Sequence, residues 1–154
     1  MMIEPFVSIE TLQFGKNTAD ECIALYGDPN NIRDSREGVQ EYDYSTFILR
    51  FDPTSHTLCE CTLLPGAEAR IGSLDVTWER ECLRKACEYD GNVVDAFGFI
   101  VVPSLGIAVT GIHDDDPSQV GITVFPRCDL DEWTSEGSSF DVLTLRQPPA
   151  AGGG

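Results

Sequence analysis

Three predicted β-strands follow one another in residues 39–64, VQEYDYSTFILRFDPTSHTLCECTLL. In the first, Val39 to Tyr44, acidic and aromatic residues alternate, which is typical of a strand with one buried face. The second, Thr46 to Phe51, is almost continuously apolar, and the third runs from Thr57 to Leu64. The turn at 52–55 separates the last two strands, because its proline presets the φ angle that a turn needs. These residues predict an antiparallel sheet.

A short helix is predicted immediately before these strands. Asn17 or Thr18 would be its N-cap, since both side chains can accept a hydrogen bond from a free N–H group of the first turn. Gly27 and the residues up to Asn31 would end the helix, as glycine commonly does. The apolar residues that share one helical face are Ala19, Cys22, Ile23 and Tyr26.

The same order of elements recurs in the second half of the chain. A helix is predicted from Trp78 to Tyr89, with Asp75 or Thr77 as its N-cap. The predicted strands that follow are Val93 to Val102, Leu105 to Ile112 and Gln119 to Phe125.

The repeated order predicts an α+β fold built from two tandem helix-plus-antiparallel-strand units, at about 6–66 and 70–127, with the helices packed on one face of a sheet. Residues 1–146 would form one domain that ends in a C-terminal strand, and residues 147–154 have the composition of a flexible tail. The alternative is a single α+β domain whose halves are alike by chance.

The charge of the chain excludes several classes of partner. Its 154 residues include 10 basic and 26 acidic ones, which gives a formal net charge of −16. Nucleic acid and anionic lipid are both bound through clustered lysine and arginine, so we expect neither nucleic acid nor membrane as a partner. The first residues, MMIEP, lack a basic region followed by an apolar one, so we expect no signal peptide and a cytoplasmic location.

No pattern of residues predicts catalysis. Ser104 lies in the sequence PSLG, which lacks the Gly-x-Ser-x-Gly pattern of a nucleophile elbow. His56 and His113 both lie in or beside predicted turns, where a histidine is usually solvated. Asp114 to Asp116 lack the spacing of a calcium-binding loop, and no phosphate-binding loop is present. We therefore expect a protein that is not an enzyme and that binds no cofactor.

The six cysteines leave one metal-binding alternative open. Cys59 and Cys61 lie two residues apart on a predicted strand, so their side chains would share one face. Together with His56 they could hold a metal ion. On a regular strand, however, the two sulfurs would lie about 7 Å apart, which suits structural zinc poorly. We therefore favour structural packing and expect no metal site.

Acidic residues are gathered into groups along the chain rather than spread evenly. One of these groups surrounds Trp133. An aromatic residue flanked by carboxylates suits a basic partner, because charge steers the encounter and the aromatic ring supplies buried contact. The alternative is that the acids only keep the protein soluble. The candidate partner-binding residues are Asp114, Asp115, Asp116, Asp129, Asp131, Glu132 and Trp133, with Tyr42 and Tyr44 as second choices.

Two short motifs resemble the repeat of small inhibitor proteins typified by the β-lactamase inhibitory protein. They are Phe14 to Glu21, with the pattern FGxxTADE, and Tyr26 to Pro29, YGDP. Similar helix signatures occur in the outer-membrane assembly lipoproteins. We expect the chain to differ from the secreted inhibitors, which have a leader and an obvious disulfide pair in each repeat, and from the lipoproteins, which have a lipobox cysteine. With its acidity and small size, it therefore resembles bacterial immunity proteins, which neutralise a toxin.

This resemblance and the charge together predict a cytosolic immunity protein. It would bind a cognate toxin with a basic cleft, and its carboxylates would imitate the negative charge of the toxin's substrate. The alternative is a non-enzymatic adaptor or structural domain of a secretion or envelope apparatus.

Overall fold

The protein is mostly β-structure. The computed structural model describes residues 1–35 and 37–146, and this part of the chain forms fourteen strands and three α-helices. The strands are β1 (Met2–Glu4), β2 (Ser8–Ile9), β3 (Leu12–Gln13), β4 (Asn31–Asp34), β5 (Gln40–Asp43), β6 (Phe47–Phe51), β7 (Leu58–Leu63), β8 (Arg70–Ile71), β9 (Leu74–Asp75), β10 (Val94–Ala96), β11 (Phe99–Val102), β12 (Ile107–Thr110), β13 (Gly121–Val124) and β14 (Ser138–Ser139). The helices are α1 (Ala19–Tyr26), α2 (Arg80–Cys87) and α3 (Leu130–Thr134), and short 3₁₀ helices span Pro117–Gln119, Arg127–Asp129 and Val142–Arg146.

The strands form a large sheet and a small one. The large sheet has nine strands in the order β14-β10-β11-β12-β13-β7-β6-β5-β4, and each neighbouring pair is antiparallel. Its two runs of consecutive strands join where β13 pairs with β7 and Ile122 lies opposite Leu63. The small sheet has five short strands in the order β3-β2-β1-β8-β9, and its β1 and β8 are parallel.

The predicted α+β fold of two helix-plus-strand units is wrong. The residues before α1 and α2 form five strands of two or three residues each, and these strands build the small sheet. The pairing of β1 with β8 places Met2 opposite Arg70. Hydrophobic periodicity is assessed over short stretches of sequence, so it cannot predict a pairing between segments so far apart. The helices are also short and do not all lie on one face of the large sheet. The predicted flexible tail, 147–154, lies outside the described residues.

The predicted ends of α1 are confirmed. Thr18 is the N-cap: its hydroxyl accepts a hydrogen bond from the Glu21 N–H at 3.4 Å, and the Glu21 carboxylate accepts one from the Thr18 N–H at 3.1 Å. The hydrogen bonds that the Glu21 carboxylate accepts lower the pKa of Glu21 below its usual value; the bond from the Thr18 N–H has the largest effect, followed by the bond from the Asn17 side chain. Gly27, with φ of 81°, ends the helix, and its N–H donates to the Ile23 carbonyl.

Thr18→Ala should therefore destabilise the protein by about 1 kcal/mol, because it leaves an N–H group at the start of α1 without its acceptor. Urea unfolding at pH 7 measures the loss. Thr77→Ala is the matched control, since the N-cap of α2 is Glu79 and α2 has no side-chain cap, and we expect a change below about 0.5 kcal/mol. Equal losses in the two variants would contradict the assigned cap.

The second predicted helix begins two residues later than expected. Trp78 has a φ of 63°, which a helical residue does not adopt, and its indole N–H donates to the Ala67 carbonyl at 3.0 Å. The helix therefore begins at Arg80 and ends at Cys87 rather than at Tyr89.

The two faces of the large sheet are packed against different elements. On one face, Cys22 of α1 and Leu83 of α2 belong to the main buried cluster. On the opposite face, a smaller cluster forms around Phe125, against which Phe6 and Trp133 of α3 pack. On this second face α3 contacts β10, and its Trp133 contacts Phe99 of β11.

Candidate binding groove

Trp133 holds α3 against the sheet. Pro126 ends β13 and leads through the 3₁₀ helix Arg127–Asp129 directly into α3. The Trp133 indole stacks on the Phe125 ring, with 5.3 Å between centroids and 21° between planes, and meets Phe99 edge-on at 5.0 Å. These two rings fix the indole, which stays half-buried at the surface. The sequence predicts Trp133 as a contact for a partner, whereas the structure uses part of its ring for packing within the protein.

A groove of about 390 Å³ lies between α3 and the hairpin of β10 and β11. We call it the acidic groove. Its lining residues are Glu60, Ala96, Phe97, Phe99, Asp129, Glu132, Trp133, Ser135 and Glu136. Three of the nine are aromatic, four are carboxylates and none is basic. The groove can therefore offer apolar contact and negative charge at the same place.

Phe97 is the most exposed large apolar side chain of the groove, with 82% of its surface accessible. It occupies the tight turn between β10 and β11, where Phe97 and Gly98 have φ values of 55° and 88°. Two positive φ values are typical of a type I′ hairpin turn. The Gly98 N–H donates to the Asp95 carboxylate at 3.0 Å and helps to hold this turn. The sequence predicts one continuous strand from Val93 to Val102, whereas the structure has two strands joined by this turn. Gly98 is the residue that could have indicated the turn.

The surroundings of two carboxylates of the groove disfavour their ionised forms. Burial raises the pKa of Glu60 above its ordinary value, although Arg50 acts in the opposite direction, and Asp129 adds to the rise. Burial also raises the pKa of Asp129, and the negative charge of Glu132 contributes. A cation in the groove would favour the ionised forms, so its binding should weaken as the pH falls through these raised pKa values.

The groove residues in and beside α3 follow a helical spacing. Asp129, Glu132, Trp133 and Glu136 lie at positions i, i+3, i+4 and i+7. Glu132 and Trp133 lie within α3, whereas Asp129 is its N-cap and Glu136 lies two residues beyond its end. The sequence analysis named the first three of them but predicted no helix here, and it did not name Glu136 as a contact. Asp131, which it did name, is exposed on α3 and is not among the lining residues.

Asp114, Asp115 and Asp116 lie away from the groove, in the connection between β12 and β13. Asp115 pairs with Arg80 of α2 at 3.2 Å. The Asp116 carboxylate accepts a hydrogen bond from the Ser118 N–H at 3.1 Å and caps the 3₁₀ helix that follows. Two of these three acids therefore have partners within the protein, and the structure does not bring them together with Trp133.

Tyr42 and Tyr44 pack inside the protein. Tyr42 is only 9% exposed, and its ring lies 4.9 Å from that of Phe51. Tyr44 is half-buried, stacks on Phe47 at 5.0 Å and donates from its hydroxyl to the Gly27 carbonyl. Both side chains serve the packing of β5 and β6 and do not contribute to the groove.

The cysteines are free thiols in the described part of the chain. The register between β6 and β7 shifts between Arg50 and Phe51, so both Leu58 and Cys61 are fully buried while Cys59 is half-buried. Burial raises the pKa of the Cys59 thiol to about 12. Within residues 1–35 and 37–146, no group of three or more histidine, cysteine or acidic side chains is arranged to hold a metal ion.

Among the described residues, no helix combines the length and the apolar character needed to cross a membrane.

Comparisons with known proteins do not identify a family. Searches against protein-family models, curated proteins and solved structures gave no match for this chain.

Proposed function

We propose that this protein is a cytoplasmic immunity protein that binds a cognate bacterial toxin and blocks its basic cleft. The observation that supports the proposal best is the acidic groove, in which four carboxylates surround an aromatic floor without a basic neighbour among the lining residues. A positively charged protein surface is the chemistry that complements such a groove.

The charge of the whole chain would assist the encounter. A net charge of −16 attracts a positively charged partner over several ångströms and raises the rate of association at low salt. Salt screens this attraction, so the association rate should fall as the ionic strength rises.

The aromatic residues would supply the close contact. Phe97 exposes most of its ring, and the Trp133 indole is already fixed by Phe125 and Phe99. A rigid aromatic side chain loses little conformational entropy when a partner covers it, which is why such residues often dominate the binding free energy. The groove therefore needs little rearrangement before it can bind.

Glu132→Gln should weaken toxin binding about tenfold, the loss expected for one charge-assisted contact of about 1.4 kcal/mol. The experiment uses the purified protein and the product of each neighbouring gene that encodes a basic toxin domain, with affinity measured by titration calorimetry and neutralisation measured as growth rescue. Asp20→Asn is the matched control, because Asp20 is an exposed acid in the first turn of α1 as Glu132 is in the first turn of α3. It removes the same charge outside the groove and should change the affinity less than twofold.

Two results would overturn the proposal. The first is that none of these toxin domains is neutralised by the unmodified protein. The second is that Glu132→Gln and Asp20→Asn weaken binding equally, which would mean that only the total charge matters. Binding of an envelope or secretion component without neutralisation of a toxin would favour an adaptor role instead.

A further inference from the structure

The aromatic rings around Phe125 form a continuous row across the second face of the large sheet. Phe6 meets Phe125 edge-on at 6.1 Å, Phe125 stacks on Trp133, and Trp133 meets Phe99 at 5.0 Å. The row begins near the start of the chain and ends in the acidic groove. Its two ends therefore have different surroundings.

One end of this row already carries an arginine of the protein itself. The guanidinium of Arg127 lies 4.1 Å from the centroid of the Phe6 ring. The groove carboxylate Glu60 likewise pairs with the guanidinium of Arg50 at 3.1 Å. An aromatic ring of the row and a carboxylate of the groove thus each already bind an arginine of the protein itself.

We infer that the end of the row in the acidic groove holds an arginine side chain of the partner, with its guanidinium stacked on the aromatic surface of Phe99 and Trp133 and its N–H groups facing Glu132 and Asp129. This inference rests on the proposed function and names the group that the toxin would present. A volume of about 390 Å³ accommodates one such side chain together with part of the extended segment that carries it.

Arginine fits this groove better than lysine for three reasons. Its planar guanidinium stacks on an aromatic ring, it can donate two parallel hydrogen bonds to one carboxylate, and it is less strongly hydrated than an ammonium group. Lysine has the same charge and an apolar stem but is a compact, strongly hydrated ion. A site that selects by charge alone would not distinguish the two.

The test is an NMR titration with three peptides that differ only in one side-chain type. Acetyl-Arg-Gly-Arg-Gly-Arg-amide is compared with the same peptide containing lysine and with one containing citrulline, which has the shape of arginine without its charge. The chain has two tryptophans, so two indole N–H signals are expected. Trp133 lies in the groove, and Trp78 lies outside it, donating to Ala67, so Trp78 is an internal control.

We expect the arginine peptide to shift the Trp133 signal until saturation and to leave the Trp78 signal unchanged. The lysine peptide should bind about threefold more weakly, the difference expected from stacking at a half-exposed site, and the citrulline peptide should cause no shift. Glu132→Gln should raise the dissociation constant of the arginine peptide about tenfold, whereas Asp20→Asn should change it less than twofold.

Equal affinities for the arginine and lysine peptides, equal shifts at both tryptophans, or no shift at Trp133 would each overturn the inference. The proposed function fails separately. If an intact toxin is neutralised and depends on Glu132, but the peptides show no preference for arginine, the immunity role stands and the arginine assignment is wrong. If the arginine peptide binds as expected but no toxin is neutralised, the groove binds arginine as inferred and the immunity role is wrong.

Discussion

Phe125→Ala is expected to lower the free energy of unfolding by about 3–5 kcal/mol, the usual cost of removing a fully buried phenylalanine ring. Phe125 is 0% exposed and contacts both Phe6 and Trp133. Among the described residues, the smaller cluster to which it belongs contains three other buried side chains, Ala96, Val101 and Ala108, and the two alanines are too small to refill the cavity. Urea unfolding followed by far-UV circular dichroism measures the loss.

Phe97→Ala is the matched control for this experiment. It removes the same ring, but from a residue that is 82% exposed, so we expect a change of about 0.5 kcal/mol or less. Phe97→Ala should instead weaken the binding of a partner, because Phe97 lines the groove. If both variants lose the same stability, α3 is not packed on the second face of the sheet as described.

Arg50→Met is expected to lower the free energy of unfolding by about 3 kcal/mol at pH 7, because it removes the ion-pair partner of the mostly buried Glu60 and leaves Glu41 with only the exposed Arg33 at 3.9 Å. The Arg50 guanidinium lies 3.2 Å from Glu41 and 3.1 Å from Glu60, and the three side chains are 22%, 18% and 23% exposed. Its Nη1 also donates to the Thr62 hydroxyl at 2.5 Å. Urea unfolding at a series of pH values measures this effect.

The loss in Arg50→Met should depend on pH in one direction. Without Arg50, the pKa of Glu60 should rise further above the value in the unfolded chain, and the penalty applies only while the carboxyl is ionised. The deficit relative to the unmodified protein should therefore be complete above the raised folded-state pKa and should shrink as the pH falls through it toward the ordinary pKa of glutamate. Arg33→Met is the control: Arg33 lies 3.9 Å from the same Glu41 but is 52% exposed, so its loss should stay below about 0.5 kcal/mol. A loss in Arg50→Met that does not change with pH would contradict the ion-pair explanation.

Part of the candidate site was predictable from local sequence. Asp129, Glu132 and Trp133 are neighbours because they are three and four residues apart on a helical turn, and their grouping of acids with an aromatic residue is visible in the sequence. Phe99 and Glu60 reach the same groove from β11 and β7, through strand pairings between distant segments. No spacing rule within one segment connects these strands to α3, so these contacts required the folded structure.

The acidic residues predicted as contacts also show what the sequence could predict and what it could not. Asp114 to Asp116 and Asp129 to Glu132 are similar groups when they are counted along the chain, and both were predicted as contacts. The structure separates them because Asp115 pairs with Arg80 and Asp116 caps a 3₁₀ helix. Counting charges cannot distinguish an acid that is satisfied within the protein from one that faces a groove.

Chemistry between near neighbours in the chain was enough to establish the caps of α1, the strands of residues 39–64 and the strongly negative charge. In each case the interacting groups lie a few residues apart, as Thr18 and Glu21 do, or the property is a sum over the composition. Three features are visible only in the tertiary structure. Met2 pairs with Arg70, Leu63 lies opposite Ile122, and α3 packs on the second face of the large sheet. These features depend on buried apolar area and on hydrogen bonds between segments that the chain brings together only in three dimensions.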